Sequence, residues 1–166
     1  MKTLSAKLLT FLIAPFIILS FTSTPDRISL AGEWKLNEGK SELGEFGGRF
    51  AARTIKVEQT ADAITISKTA PSFGGGDATT TETVSFDGKE SESTVFGSSK
   101  KKSSAKWSDD GQALTITYTI AFERNGQTTE IKGKEAWSLT KDGTLSLITV
   151  STSTRGETTT KAVYDK

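Results

Sequence analysis

The chain offers few of the side chains that usually carry chemistry. Cysteine and histidine are both absent. That removes thiolate nucleophiles, disulfides, the commonest metal ligand and the usual general base near neutral pH. Carboxylates, lysines and aromatic rings remain. Glu82 stands two residues before Val84 and four before Phe86, while Glu135 stands midway between Gly133 and Trp137. At period two, each carboxylate shares the apolar face of a strand. A lone buried carboxylate must be paired, hydrated or protonated, and Lys68 and Gln59 share the inward parity as candidate partners. Three readings stay open: a wet cavity with convergent polar groups, a catalytic acid and base, or a register slip at a bulge that turns both groups toward solvent or a barrel mouth.

Trp34, Trp107 and Trp137 also fall on inward faces, where an indole either fills a core or lines a ligand cavity. Trp34 reads as a plug at the end of the sheet. The glycine-rich runs Gly44-Glu45-Phe46-Gly47-Gly48 and Phe73-Gly74-Gly75-Gly76 read as flexible loops and lack the strand-to-helix context of a phosphate fingerprint. Lys100-Lys101-Lys102, with Lys106, reads as a solvated loop, because no aromatic platform for nucleic acid is interleaved with it. Asp26 and Asp109-Asp110 lack the ligand spacing of a calcium loop and read as turn residues. The Thr-x-Thr rows at Thr79-Thr81-Thr83 and Thr115-Thr117-Thr119 suit an ice-contacting surface only if flat, and a twisted sheet favours plain solvent-facing threonine.

These side chains must be positioned by strands. Threonine and serine exceed a quarter of the chain, which suits the solvent faces of strands. Period-two segments bounded by turn residues predict ten strands: Leu30 to Asn37, Arg53 to Thr60, Ala63 to Thr69, Thr79 to Phe86, Lys89 to Phe96, Ser103 to Ser108, Ala113 to Glu123, Gln127 to Thr140, Leu145 to Thr154 and Thr158 to Asp165. Gly97 to Lys102 is expected as a polar loop. The stretch Glu38 to Ala52 is expected as a loop or one short helix. Asn125-Gly126 and the Asp-Gly pairs at 87, 110 and 142 mark tight hairpins. Ten sequential antiparallel strands with one buried face favour an all-β, single up-and-down barrel over a sandwich, which needs longer crossovers.

Residues 1–22 read as a signal peptide: Lys2 and Lys7, an apolar run from Leu8 to Phe21, then small residues. The run falls short of the roughly 20 residues a membrane-spanning helix needs. An uncleaved anchor is the alternative. Residues 23–166 then form one domain, exported to the periplasm or the extracellular space, folding without disulfides. The formal charge of +1 gives no field to steer nucleic acid.

Gly32-Glu33-Trp34-Lys35-Leu36 resembles the G-x-W opening strand of lipocalins and fatty-acid-binding proteins. Thr160-Lys161-Ala162-Val163-Tyr164-Asp165-Lys166 resembles the closing strand of the latter. The resemblance implies a calycin barrel with a small apolar or amphipathic ligand inside. Ile55, Ile66, Phe86, Trp107, Ile116, Tyr118, Trp137 and Tyr164 would line it, with Glu135 as polar anchor. The family grips a carboxylate with an Arg two residues before the closing Tyr. Here that position is Ala162, so head-group recognition of that kind is not carried over. The stretch between the first two strands is also too short for a two-helix lid. Cofactor, metal, catalysis, nucleic acid and a stable membrane span are not expected. A packed barrel acting as an interaction module is the alternative.

Overall fold

The computed structural model describes residues 26–44, 48, 51–72, 74–124, 126–154 and 156–166. The leader 1–22, most of the glycine-rich run at 44–48, and Phe73 lie outside these residues. Among the described residues, ten strands form one antiparallel sheet. They are β1 (Gly32–Leu36), β2 (Thr54–Gln59), β3 (Ala63–Pro71), β4 (Asp77–Ser85), β5 (Ser91–Val95), β6 (Ser99–Trp107), β7 (Ala113–Arg124), β8 (Gln127–Leu139), β9 (Leu145–Ser153) and β10 (Gly156–Asp165). A short 3-10 turn, Glu38–Lys40, follows β1.

Local chemistry explains the hairpins. Asp87 Oδ1 accepts from Ser85 Oγ at 2.5 Å and from the Lys89 amide at 3.0 Å. Asp110 Oδ1 repeats this with Ser108 Oγ at 2.6 Å and the Gln112 amide at 3.0 Å. Each Ser-x-Asp-Gly sequence thus builds the same side-chain-supported turn. The Lys89 ammonium, 2.8 Å from Asp87 Oδ2, leads in holding the Asp87 carboxyl below the usual range, ahead of Ser85 and the Lys89 amide, and Ser108 leads at Asp110.

Each strand pairs with its neighbour in the chain, except β4 and β5, and β1 closes onto β10 through Lys35↔Asp165 and Leu36↔Tyr164. The result is an up-and-down barrel with one unladdered seam between β4 and β5. Connections after β2, β4, β6 and β8 gather at one end, called here the closed end. Those after β3, β5, β7 and β9 gather at the other, the mouth, together with the stretch between β1 and β2.

Residues 26–31 seal the closed end. Gln59 clamps them with both amide atoms: Nε2 donates to Ile28 O at 3.0 Å and Oε1 accepts from the Leu30 amide at 2.9 Å. Leu30 is fully buried, and its carbonyl accepts from Trp34 Nε1 at 2.9 Å. Trp34 is therefore the plug its position suggested. Gln59, expected to meet a carboxylate, is instead committed to this backbone. Gly111 makes the seal possible: its φ is +70°, and a Cβ there would stand 2.7 Å from Asp26 O.

The Gly97 to Lys102 expectation is corrected. β6 begins at Ser99, and Lys100 to Lys102 pair with Ala121 to Thr119 of β7. Three consecutive lysines conceal period two, because chemistry no longer distinguishes the faces. Register does: Lys101 shares the inward face with Ser103, Ala105 and Trp107, while Lys100 and Lys102 are exposed.

Candidate functional site

Inward side chains change character along the barrel. Toward the closed end they are large and apolar: Ile64, Val84, Leu114, Trp137 and Leu145 have no exposed surface. Toward the mouth the inward positions of β3, β4, β5, β6, β8 and β9 carry Ala70, Thr80, Ser93, Ser99, Gly133 and Ser151, all only half-buried. Ile120, Phe122 and Ile131 of β7 and β8 give this half an apolar wall. Phe96, in the turn after β5, stacks on Phe122 with centroids 5.8 Å apart and is 58% exposed.

A polar belt lies inside the barrel. Glu82 and Glu135 are 8% and 6% exposed, so both face inward and no bulge turns them out. Lys68 Nζ reaches Glu135 Oε1 at 2.6 Å, and Trp137 Nε1 donates to Glu135 Oε2 at 3.0 Å. Lys101 Nζ reaches Glu82 Oε1 at 2.6 Å, and Ser103 Oγ donates to Glu82 Oε2 at 3.0 Å. Each carboxylate thus has both oxygens engaged, as buried charge requires. The ammonium groups also sit over rings, Lys68 over Trp137 at 5.0 Å and Lys101 over Tyr118 at 4.7 Å.

Burial alone would raise the Glu135 carboxyl. Lys68 and Lys101, with the bonds from Lys68 and Trp137, outweigh it and hold the group below the usual carboxylate range. The Tyr118 hydroxyl is pushed up by burial and by Glu135 and Glu82, and the Tyr164 hydroxyl by burial and Glu135. Both stay protonated donors at any physiological pH. Tyr118 pairs across the ladder with Gly133 and fills the space a side chain there would take: a Cβ at 133 would collide with the Tyr118 ring and hydroxyl. Beside the belt, Ser93 Oγ is buried without a hydrogen-bond partner.

The structure divides the residues that the sequence singled out. Tyr118 and Glu135 stand in the belt. Ile55, Ile66, Ile116, Trp137 and Tyr164 belong to the packed core. Phe86 and Trp107 meet edge to face at 5.6 Å at the closed end of the seam, under Arg27. Lys68 was legible as a carboxylate partner, and the structure pairs it with Glu135. Lys101, the partner of Glu82, was hidden in the lysine run. Ala162 is buried and inward, and Lys161 faces out to Glu42. The interior cations are therefore Lys68 and Lys101 rather than an arginine on β10.

On the outer face, Thr65–Thr83, Ser67–Thr81 and Thr69–Thr79 bond hydroxyl to hydroxyl across β3 and β4 at 2.8–2.9 Å. These groups satisfy one another along a twisted edge pair.

No protein-family model and no curated protein matches the chain. Among solved structures, it is similar to the zebrafish ileal bile acid-binding protein complexed with cholic acid. The TM-score is 0.53 at 18% identity, over 82% of this chain and 97% of that one. The likeness establishes the fold, a nearly closed ten-stranded antiparallel barrel of the calycin type.

Proposed function

We propose that this protein binds a small amphipathic ligand inside its barrel, in the half between the belt and the mouth. One observation carries the reading: on β3, β4, β5, β6 and β9 inward side chains shrink toward the mouth to alanine, serine and threonine, facing the apolar wall of Ile120, Phe122 and Ile131. Close-packed interiors do not line one half with small polar groups unless something else, solvent or ligand, occupies it. The similar zebrafish protein, captured with cholic acid, supports an amphipathic occupant. The ligand's apolar face would lie on Ile120, Phe122 and Ile131, and its polar groups would meet Tyr118, Ser93 and the belt.

The belt also bears on charge. Lys68 with Glu135 and Lys101 with Glu82 leave the interior neutral. A free carboxylate would have to displace a glutamate already held at 2.6 Å, so an uncharged head group of hydroxyls or amides fits better. The same pairing leaves neither carboxylate free as an acid or base, which favours binding over catalysis. Because residues 1–22 read as a signal peptide, the binding is proposed to take place outside the cytoplasm.

Native mass spectrometry of protein purified from its own host tests this against the denatured mass. Expected are a bound mass of a few hundred daltons, lost on denaturation, and a polypeptide beginning near Ser23. A Ser151→Trp variant should keep the fold by circular dichroism and lose the bound mass. A ligand-free native protein, or a bound mass that Ser151→Trp leaves unchanged, refutes the interior site. An intact N-terminal Met1 refutes a cleaved signal peptide and favours the uncleaved anchor.

A further inference from the structure

We propose that the cleft at the closed end of the seam is a second binding site, built for a small aromatic carboxylate. β5 pairs with β6 only up to Ser103, so from Ser104 to Trp107 β6 is laddered to β7 on one edge and has no strand on its seam edge. β4 has ended at Ser85 by that level. The opening left is a cleft of about 320 Å³, lined by Arg27, Phe86, Ala105, Trp107, Lys106 and Asp109 among others.

Its chemistry is specific. The Arg27 guanidinium lies 5.0 Å from the Phe86 ring centroid and 5.8 Å from that of Trp107. Nη1 donates to Ala61 O at 3.0 Å, and Arg27 has no ion pair among the described residues. Held near both rings and bonded to Ala61 O through Nη1, the guanidinium has further N–H donors for a planar acceptor such as a carboxylate. Trp107 is 8% exposed, yet its Nε1 has no hydrogen-bond partner. A buried indole donor without an acceptor beside an unpaired guanidinium is a pair of groups waiting for one anion. Phe86, Ala105 and Trp107 supply the apolar surface for its ring.

The cleft is also held in place. The Ile28 amide bonds Gly111 O at 3.0 Å, and Gln59 clamps the residues beyond. Arg27 is therefore carried by fixed backbone rather than by a free terminus. Of the lining charges, Asp109 is the single acid against Arg27 and Lys106. Asp110 nearby is already committed to Ser108 and Gln112. This site is separate from the mouth half, so it stands or falls independently of the ligand proposed there.

Benzoate titrated into the protein as purified from its host, followed by the Trp107 indole N–H in ¹H–¹⁵N spectra and assigned with Trp107→Phe, tests the proposal. Expected is a saturable downfield shift of that signal. Arg27→Gln should weaken the apparent affinity by about tenfold or more, as loss of a charge-assisted bidentate contact implies. Arg27→Lys, which keeps the charge but not the fork, should recover it only partly. Neutral benzamide should leave the signal unmoved. A shift that does not saturate, a shift equal in Arg27→Gln, or an equal response to benzamide overturns the site. Ser151→Trp should leave the titration unchanged, which separates its failure from that of the mouth site.

Discussion

The Glu82–Lys101 pair can be tested as the latch of the seam. β4 and β5 share no ladder hydrogen bonds, so side chains must close the barrel there. Glu82 of β4 does so by reaching past β5 to Lys101 and Ser103 of β6, at 2.6 and 3.0 Å. The two charged side chains are 7% and 9% exposed, which places them beyond effective solvent screening. Removing one partner leaves the other charge buried and unmatched, a change that costs about 3–5 kcal/mol. A domain of this size has roughly 5–15 kcal/mol of stability in all. Glu82→Gln should therefore lower Tm by roughly 10–20 °C, at about 3–5 °C per kcal/mol. Lys101→Met should do much the same. Replacing both, as Glu82→Leu with Lys101→Met, removes the desolvation cost together with the attraction. That double variant should return to within about 2 kcal/mol of the parent or exceed it. Urea denaturation of the parent, both singles and the double gives the coupling energy directly. Singles that each cost less than about 1 kcal/mol, or a double equal to their sum, would refute the latch.

Two further predictions concern the belt. Tyr118 and Tyr164 have hydroxyl pKa values raised in the folded state, so their contribution is fully present below the unfolded value near 10 and is lost as pH rises above it. Denaturation midpoints between pH 9 and 11 should fall, by at most about 1.4 kcal/mol per pH unit per tyrosine, and Tyr118→Phe should flatten that fall. A midpoint flat across this window would mean that the hydroxyls are solvated. Gly133→Ala should cost about 1–3 kcal/mol, because the new methyl meets the Tyr118 ring and must displace it. Pairing it with Tyr118→Ala should remove most of that cost, and simple additivity of the two changes would rule out the proposed contact.

Period two made most of this fold legible before any coordinates. Each of the ten segments is a strand within a few residues of its expected bounds, because threonine and aliphatic residues alternate cleanly where one face is solvated and one packed. The same argument gave Glu82 and Glu135 inward parity but left open whether a bulge turned them out, and it offered Lys68 as a partner by parity. The failures share one cause. In Lys100-Lys101-Lys102 the residue type carries no face information, so only ladder register reveals that the middle lysine points in. Gln59 had the right parity, but its partner lies in residues 28–30, and nothing in β2 signals that this segment folds back over the barrel end.

The residues the sequence rendered unremarkable are the ones that let the belt exist. β5 presents inward only Ser91, Ser93 and Val95, opposite Ser103, Lys101 and Ser99 of β6. Serine at 91 and 93 leaves the space through which Lys101 and Ser103 cross to Glu82, and a large side chain at either position would fill it. Tyr118 finds its place over Gly133 in the same way, by the absence of a side chain. The barrel therefore keeps its charges inside between aromatic rings on β7 and β8 and small residues on β5. Ala70, Thr80, Ser99 and Ser151, nearer the mouth, line the proposed ligand site. Closure of the seam and the proposed ligand site meet at β5, so a substitution that enlarges Ser93 inward should weaken both together. Lys101 touches both Glu82 of the latch and Tyr118 of the proposed site; a Ser93→Leu variant that loses stability and keeps its ligand would show that the two are separate structures.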